Sequence, residues 1–476
     1  MIIKNINHDC SYQTEKIALT FFPLAKLGDG GDGIIVETRF ENNTAFADIK
    51  LGDKSLSKNR IKKQNEDTQH CISVLLYEAL SELTSFRPPW GILYGVRPAR
   101  LMHARTDKLG SEKAAELFRE DLVEEKKIAL ANEVMERENR VISLSGENSF
   151  SLYVSIPFCP SRCSYCSFVS HSIENAKDLL EPYTALLCKE LEEIGRKVNE
   201  LGLRLETVYF GGGTPTTLSA SQLERVLSCI ENSFDLSTLR ELTVEAGRPD
   251  TITEEKLSAL LKHRVQRISI NAQSFNDNVL KAVGRKHSVA KTFEAFEIAK
   301  KLGFKNINTD LIAGLSNDNL NSFKNSVKTA EELGCASVTV HNLSLKSGAF
   351  LVTENMLFDV SKKNETVAMI DFAYTELKEN GYNPYYMYRQ SKSLGNLENT
   401  GYAKEGFECL YNIFMMDETH SVFAAGAGGV TKLKRQSDNH IERIYNYKYP
   451  YEYINNFENV LAKKQGIVDF YNLTVK

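Results

Sequence analysis

The chain has 476 residues, 58 Lys and Arg against 62 Asp and Glu, a formal net charge of −4 and 42% hydrophobic residues. Such a balance argues against a broad nucleic-acid footprint, and the length suits two or three domains, each with its own core. No apolar run reaches the ~18 residues of a membrane span, and Met1 to Asn5 do not begin a signal peptide, so a cytoplasmic protein is expected.

Residues 1–148 read as an α+β accessory domain. Gly28-Asp29-Gly30-Gly31-Asp32-Gly33 lies between Phe21/Phe22 and a strand-like run at 34–38. No helix follows the glycines, so the spacing predicts a hairpin connection rather than a phosphate cradle. Residues 68–86 predict an amphipathic helix, ended by Pro88-Pro89 before Trp90, the only tryptophan. Residues 111–140 are highly charged and helical.

From 149 to 350 the pattern becomes a regular alternation. Strands are predicted at 152–156, 206–210, 241–245, 267–270, 306–312 and 337–340. Helices are predicted at 176–200, 221–230, 254–261, 290–302 and 320–333. Six strands alternating with helices imply a parallel sheet with right-handed crossovers, as an open sheet or a partial barrel. In either form the active groups belong at the carboxyl ends of the strands. Polar motifs fall there repeatedly: Gly211-Gly212-Gly213-Thr214-Pro215-Thr216, Glu245 with Arg248, Asn271-Ala272-Gln273-Ser274, Asp310 with Gly314, and His341-Asn342.

The first of these ends carries Cys159, Cys163 and Cys166, three cysteines within eight residues. Thiolates suit zinc or iron–sulfur clusters, and three are one short of a closed tetrahedral zinc site. A [4Fe–4S] cluster with one open iron and a structural zinc with a distant fourth ligand are the two readings of the loop. The other six cysteines (Cys10, Cys71, Cys188, Cys229, Cys335, Cys409) read as small buried core residues. Residues 351–476 break the alternation and read as a C-terminal α+β domain that covers the substrate. Its tyrosine-dense segment 382–390 suits a packed interface or the face of a flat ligand. Gly426-Ala427-Gly428-Gly429 is a later glycine cluster.

The Cys159-x3-Cys163-x2-Cys166 spacing, with Tyr165 before the last cysteine, resembles the radical S-adenosylmethionine (radical SAM) signature. The stretches 153–159, 211–216, 267–275, 284–287 and 308–315 are similar to the oxygen-independent coproporphyrinogen III oxidase group. The segment 89–98 and residues 388–402 are similar to the HemZ-type coproporphyrinogen dehydrogenases within it. The resemblance implies a partial (β/α)6 TIM-like radical SAM barrel, with Cys159, Cys163 and Cys166 holding a [4Fe–4S] cluster whose fourth iron is chelated by SAM. It implies cleavage of SAM to a 5′-deoxyadenosyl radical, with the protein orienting and shielding the cofactor.

By the same resemblance, Tyr165 packs on adenine with the Phe168 backbone beside it, Gly212, Gly213 and Thr214 meet the methionyl end, and Glu245 accepts hydrogen bonds from SAM. Tyr153 orders the cluster end of the ligand, and Gln273, Arg285 and Asp310 match positions that contact SAM, including a second SAM. Taken without the resemblance, Asp310 could cap a helix and Arg285 could form a surface ion pair. The implied substrate is coproporphyrinogen III, a porphyrinogen converted to protoporphyrinogen IX, with an electron donor such as flavodoxin or ferredoxin. Two departures bear on that substrate. The oxidase proper has a further cysteine where this chain has Phe168, and a histidine where it has Ser155. Phenylalanine at 168 is shared with the haem-chaperone branch, so a haem-binding chaperone, or another haem-directed radical SAM protein, stands as the alternative.

Overall fold

The computed structural model describes residues 1–476 except 29–31, 96, 167–170, 345–359, 391 and 475–476. Near the N-terminus, strands β1 (Ile2–Ile6), β2 (Ile34–Glu41), β3 (Thr44–Leu51) and β4 (Lys54–Ile61) form one sheet in sequential order. β1 and β2 are parallel and flank the helix Ser11–Phe21. The described ends of the glycine-rich segment 28–33 therefore complete a parallel crossover, not a hairpin; its middle, 29–31, lies outside the described residues. The helix Thr68–Thr84 covers the sheet, with the Asp67 carboxylate accepting from the His70 N–H at 2.6 Å as its N-cap.

The predicted charged helix of 111–140 is divided. Helices Pro98–Leu109, Ser111–Glu120 and Glu125–Ile142 pack round Trp90, Phe118 and Met135. Trp90 Nε1 and Lys127 Nζ each donate to the buried Glu398 carboxylate at 2.7 Å. That shared carboxylate ties the N-terminal region to a strand nearly three hundred residues later.

The predicted alternation forms as a sheet in chain order. After β5 (Ser149–Ile156) come a short pair, β6 (Phe158–Cys159) and β7 (His171–Ser172), then β8 (Arg204–Gly212), β9 (Glu241–Glu245), β10 (Arg267–Ser269), β11 (Asn306–Ala313) and β12 (Ser337–Asn342). β5, β8, β9, β10, β11 and β12 lie side by side and parallel, the partial barrel expected. β13 (Asn383–Arg389) and β14 (Glu398–Ala403) add antiparallel at the β12 edge. β15 (Ser421–Ala425) adds parallel to β5, one parallel strand more than the alternation predicts, and β16 (Val430–Lys434) and β17 (Ile441–Tyr445) continue antiparallel beyond it. The expected boundary at 350 lies outside the described residues, and strands from beyond it complete both edges of the same sheet.

Parallel strands covered on both faces normally read as continuous apolar runs. Here they alternate. Phe150, Leu152, Val154 and Ile156 of β5 join Val208, Val244, Ile268, Leu311 and Val340 under helices such as Leu180–Glu200. Each such burial contributes roughly 1.5–3 kcal/mol. The intervening positions are polar: Ser151 meets Thr207 at 2.7 Å, and Asn308 bonds Ser337, Thr339 and Asp310. This concave face is therefore hydrogen-bonded rather than oily.

At the amino-terminal end of that interior, Glu241 accepts from the Leu410 and Tyr411 amides at 2.8 and 3.3 Å, seating the helix Leu410–Asp417 as a plug. The carboxyl ends of the strands remain as the working rim. Among the described residues no helix is long and apolar enough to cross a membrane.

Candidate active site

The cysteine loop leaves β5 through Pro157 and is closed at its stem by the β6–β7 pair, Phe158 opposite His171 and Cys159 opposite Ser172. The backbone of the next strand holds it from below: the Gly213 N–H donates to Ile156 O at 2.8 Å and the Thr214 N–H to Phe158 O at 2.7 Å. A Cβ on Gly213 would stand 2.5 Å from Phe158 O, and Gly212 sits at φ +105°, so this close approach requires glycine. Farther along, Ser164 is anchored through its N–H and Oγ to Val283 O at 3.1 and 3.0 Å.

Of the expected site residues, Gly213, Thr214 and Arg285 meet the loop directly. Cys159 Sγ lies 3.4 Å from Thr214 Oγ1, and Cys163 Sγ receives an N–H of Arg248 at 3.8 Å. Arg285 donates from Nε to Tyr165 Oη and from Nη1 to Asn271 O, both at 3.1 Å. It is therefore no surface ion pair. Gln273 holds φ +67°, an uncommon conformation for a side chain of this size, because its N–H is pinned to Asp310 O at 2.7 Å and its carbonyl to the Ile312 N–H at 3.0 Å. Phe168 lies outside the described residues.

Two acidic groups stand on the inner face of the rim. The Tyr209 hydroxyl donates to Glu245 at 2.6 Å, and burial together with the neighbouring Asp310 charge pushes the Glu245 pKa up to about 7. Asp310 caps no helix. It lies within β11, accepts from Asn308 Nδ2 at 2.8 Å and pairs with His341 at 3.6 Å. Burial alone would raise its pKa, but His341 and Asn308 outweigh that and hold it below the usual carboxylate range. Burial likewise works against a charged His341, and the Asp310 carboxylate outweighs it, raising the imidazole pKa.

Tyr153, with the same rim at its upper edge, stacks on Tyr209 at 6.3 Å and on Tyr411 at 6.2 Å. Tyr388 reaches His341 Nδ1 at 3.5 Å. The tyrosine-dense segment thus supplies one wall of the recess, through β13. Gly426, in contrast, serves packing: a Cβ there would meet Ser155 O and Tyr183 Oη at 2.5 Å. Ser155 itself is buried and donates to Ala427 O at 2.7 Å.

Tyr209, Tyr388 and Tyr411 are not among the expected site residues, and Arg248 is expected only as part of the polar motif that ends the third strand. Tyr209 had a signal in the polar–apolar alternation of its strand, and Tyr388 in the tyrosine cluster. Tyr411 had none, since only the seating of its helix on Glu241 brings it to the recess.

These groups fit a cluster and a sulfonium amino acid. Asn271 Oδ1 and Gln273 Oε1 are buried at the rim without hydrogen-bond partners, although a buried amide oxygen ordinarily finds one. The side-chain-free backbone at 211–213 offers further polar groups to a close ligand. Among the described residues no three His, Cys, Asp or Glu side chains gather as round a single metal ion.

Residues 153–330 match the Radical SAM superfamily, whose members work with a [4Fe–4S] cluster and SAM. The chain is 37% identical over 408 residues to the oxygen-independent coproporphyrinogen-III oxidase-like protein HemZ of Bacillus subtilis, an alignment that covers 85% of this chain and 81% of that protein. It is 34% identical over 284 residues to the heme chaperone HemW of Lactococcus lactis, covering 59% and 69%. Among solved structures, coproporphyrinogen III oxidase (HemN) from Escherichia coli shares the fold, with a TM-score of 0.51 and 21% identity over 67% of this chain and 71% of that one. The loop, the glycine cradle and the sheet thus have a common explanation: the chain belongs to the radical SAM superfamily and, within it, to the oxygen-independent coproporphyrinogen-III oxidase-like family that includes HemZ.

Proposed function

We propose that the protein converts coproporphyrinogen III to protoporphyrinogen IX by anaerobic oxidative decarboxylation. The observation that carries this reading is the polar recess beneath the cysteine loop, walled by tyrosines and holding Glu245, Asp310 and His341 at the rim, in a chain 37% identical to HemZ along most of its length. Cys159, Cys163 and Cys166 are the cluster ligands in this proposal, and the bound cofactors supply hydrogen-atom abstraction from a substrate C–H bond. Each of two propionate side chains then loses one hydrogen atom, one electron and CO2, leaving a vinyl group.

The chain's own groups have four tasks. Arg285 presents a rigid fork of donors suited to a carboxylate. Glu245, titrating near neutrality, holds or releases a proton beside Tyr209 Oη. The Asp310–His341 pair keeps opposite charges fixed beside Glu245. The stack of Tyr153, Tyr209 and Tyr411 excludes water and gives a tetrapyrrole flat faces to lie against. A one-electron donor such as flavodoxin or ferredoxin would supply the electron that starts each turnover, and a one-electron acceptor would take the electron each propionate releases on losing CO2. A reducing cytoplasmic setting agrees with six buried free thiols outside the loop.

Reconstituted protein, incubated anaerobically with SAM, reductant and coproporphyrinogen III, is expected to yield the mono- and divinyl products by chromatography. SAM cleavage without any vinyl product would sink the substrate while leaving the cofactor chemistry standing. The HemW relatives favour a second reading, haem delivery to a partner. It predicts a Soret band with a defined stoichiometry when haem is titrated into the protein, and no porphyrinogen turnover.

A further inference from the structure

Arg248 follows β9 in the turn that begins Pro249–Thr251, and its backbone carbonyl is fixed by Thr251 through N–H and Oγ1 at 2.9 and 2.7 Å. The residue is only 3% exposed. Its guanidinium makes a bidentate pair with Asp250, both bonds 2.9 Å, which sets the plane of the fork. Nη1 is then aimed at the cysteine loop, at Ser161 Oγ (3.2 Å), Ser161 O (3.5 Å) and Cys163 Sγ (3.8 Å). One rigid cation thereby holds the loop on both sides of Arg162 and places its positive charge against one thiol.

We propose that Arg248 is a positioning residue that orients Cys163 and raises the reduction potential of the cluster bound there, with Asp250 as its counterweight. The inference rests on Cys163 being a cluster ligand. Hydrogen bonds to ligand sulfurs and the net charge nearby are what a protein uses to set such a potential. An N–H directed at a thiolate stabilises the more electron-rich, reduced cluster over the oxidised one. Burial leaves that charge little screened by solvent. A higher potential brings the cluster within range of a mild one-electron donor, the condition that anaerobic turnover needs.

The test is a potentiometric titration of the reconstituted full chain in the absence of SAM, followed by electron paramagnetic resonance, with iron and sulfide counted per chain. In Arg248→Gln the equilibrium constant for one-electron reduction is expected to fall about tenfold, a shift of about 59 mV to more negative potential. Arg248→Lys, which keeps the charge but loses the fork, is expected to fall between that variant and the wild type. Asp250→Asn removes the counterweight and is expected to shift the potential upward, a reversal of sign that a merely structural role would not produce. A fully loaded Arg248→Gln with the wild-type potential overturns the proposal. Should Arg248→Gln hold no iron, Asp250→Asn decides alone, and an unchanged or lowered potential overturns it. Wild-type protein that takes up no iron would instead bring down the cluster reading itself, so the two failures are read from different measurements.

Discussion

Tyr209 donates a 2.6 Å hydrogen bond to a carboxylate, Glu245, whose pKa stands near 7. Burial is the main cause, with the Asp310 charge adding to it, while the tyrosine bond works in the opposite direction. A carboxyl whose folded pKa lies above its unfolded value of 4.5 contributes most to stability below pH 4.5, and the contribution is lost as pH rises through about 7. Glu245→Gln removes that loss. The cofactor-free variant should therefore be more stable than the wild type at pH 8 by on the order of 1–3 kcal/mol, and close to it at pH 5, in urea unfolding followed by circular dichroism. An equal difference at both pH values would count against the raised pKa.

Asp310 and His341 carry the opposite pattern. The acid is lowered and the base raised, each by the other, against the effect of burial. The stabilisation from the raised imidazole is complete below its unfolded value of 6.5 and is lost as pH climbs through its higher folded value. In Asp310→Asn, only the Asn399 hydrogen bond and the Glu245 charge still oppose burial at His341, so its titration should move to lower pH than in the wild type. The chain has nine histidines, few enough for the shift to be followed by NMR of ring-labelled protein after assignment with His341→Gln. A His341 titration unmoved by Asp310→Asn would mean that the pair does not set the charge of the recess.

Much of this architecture was legible beforehand for a physical reason. A βαβ chain brings the carboxyl end of every strand to one rim, so the alternation alone puts Cys159, Gly213, Glu245 and Gln273 at the same end of the sheet. What was not legible depends on long-range packing. Ser421–Ala425 is only five residues, yet it enters the sheet parallel to β5, a partner some 270 positions earlier. Arg248 and Cys163 lie 85 residues apart, and only the turn after β9 aims one at the other. The glycine-rich segment 28–33 suggested a hairpin because a strand follows it; β2 instead takes β1 as its parallel partner, which no local feature announces.

Gly213 offers a steric test of the loop. An added Cβ would lie 2.5 Å from Phe158 O and 2.9 Å from Ile156 O, both backbone atoms that cannot turn aside as a side chain would. Gly213→Ala must therefore move the chain immediately before Cys159, with an expected destabilisation of about 1–3 kcal/mol. Iron retained per chain after reconstitution should fall by at least half. Gly95→Ala, where a Cβ meets nothing within 4 Å, is the matched control and should load normally. Equal iron in both variants would show that the contact between Gly213 and Phe158 does not hold the loop in place.

The turn after β15 provides a stability test. Lys464 and Glu190 form a 2.6 Å ion pair with both side chains fully buried. Glu190 also accepts from the Gly426 N–H, Asn446 Nδ2 and Tyr453 Oη, each at 2.7 Å, while Lys464 Nζ donates to Ala424 O at 3.1 Å. The network clamps Gly426 and Ala427 against Ser155, at the end of the strand that launches the cysteine loop. Removing one partner strands the other charge in the core, so Lys464→Met should cost about 3–5 kcal/mol, read as a lower urea midpoint. The double variant Glu190→Gln/Lys464→Met leaves no buried charge and should recover half or more of that loss. A double variant as unstable as the single one would assign the cost to lost packing of the lysine stem rather than to the unpaired carboxylate.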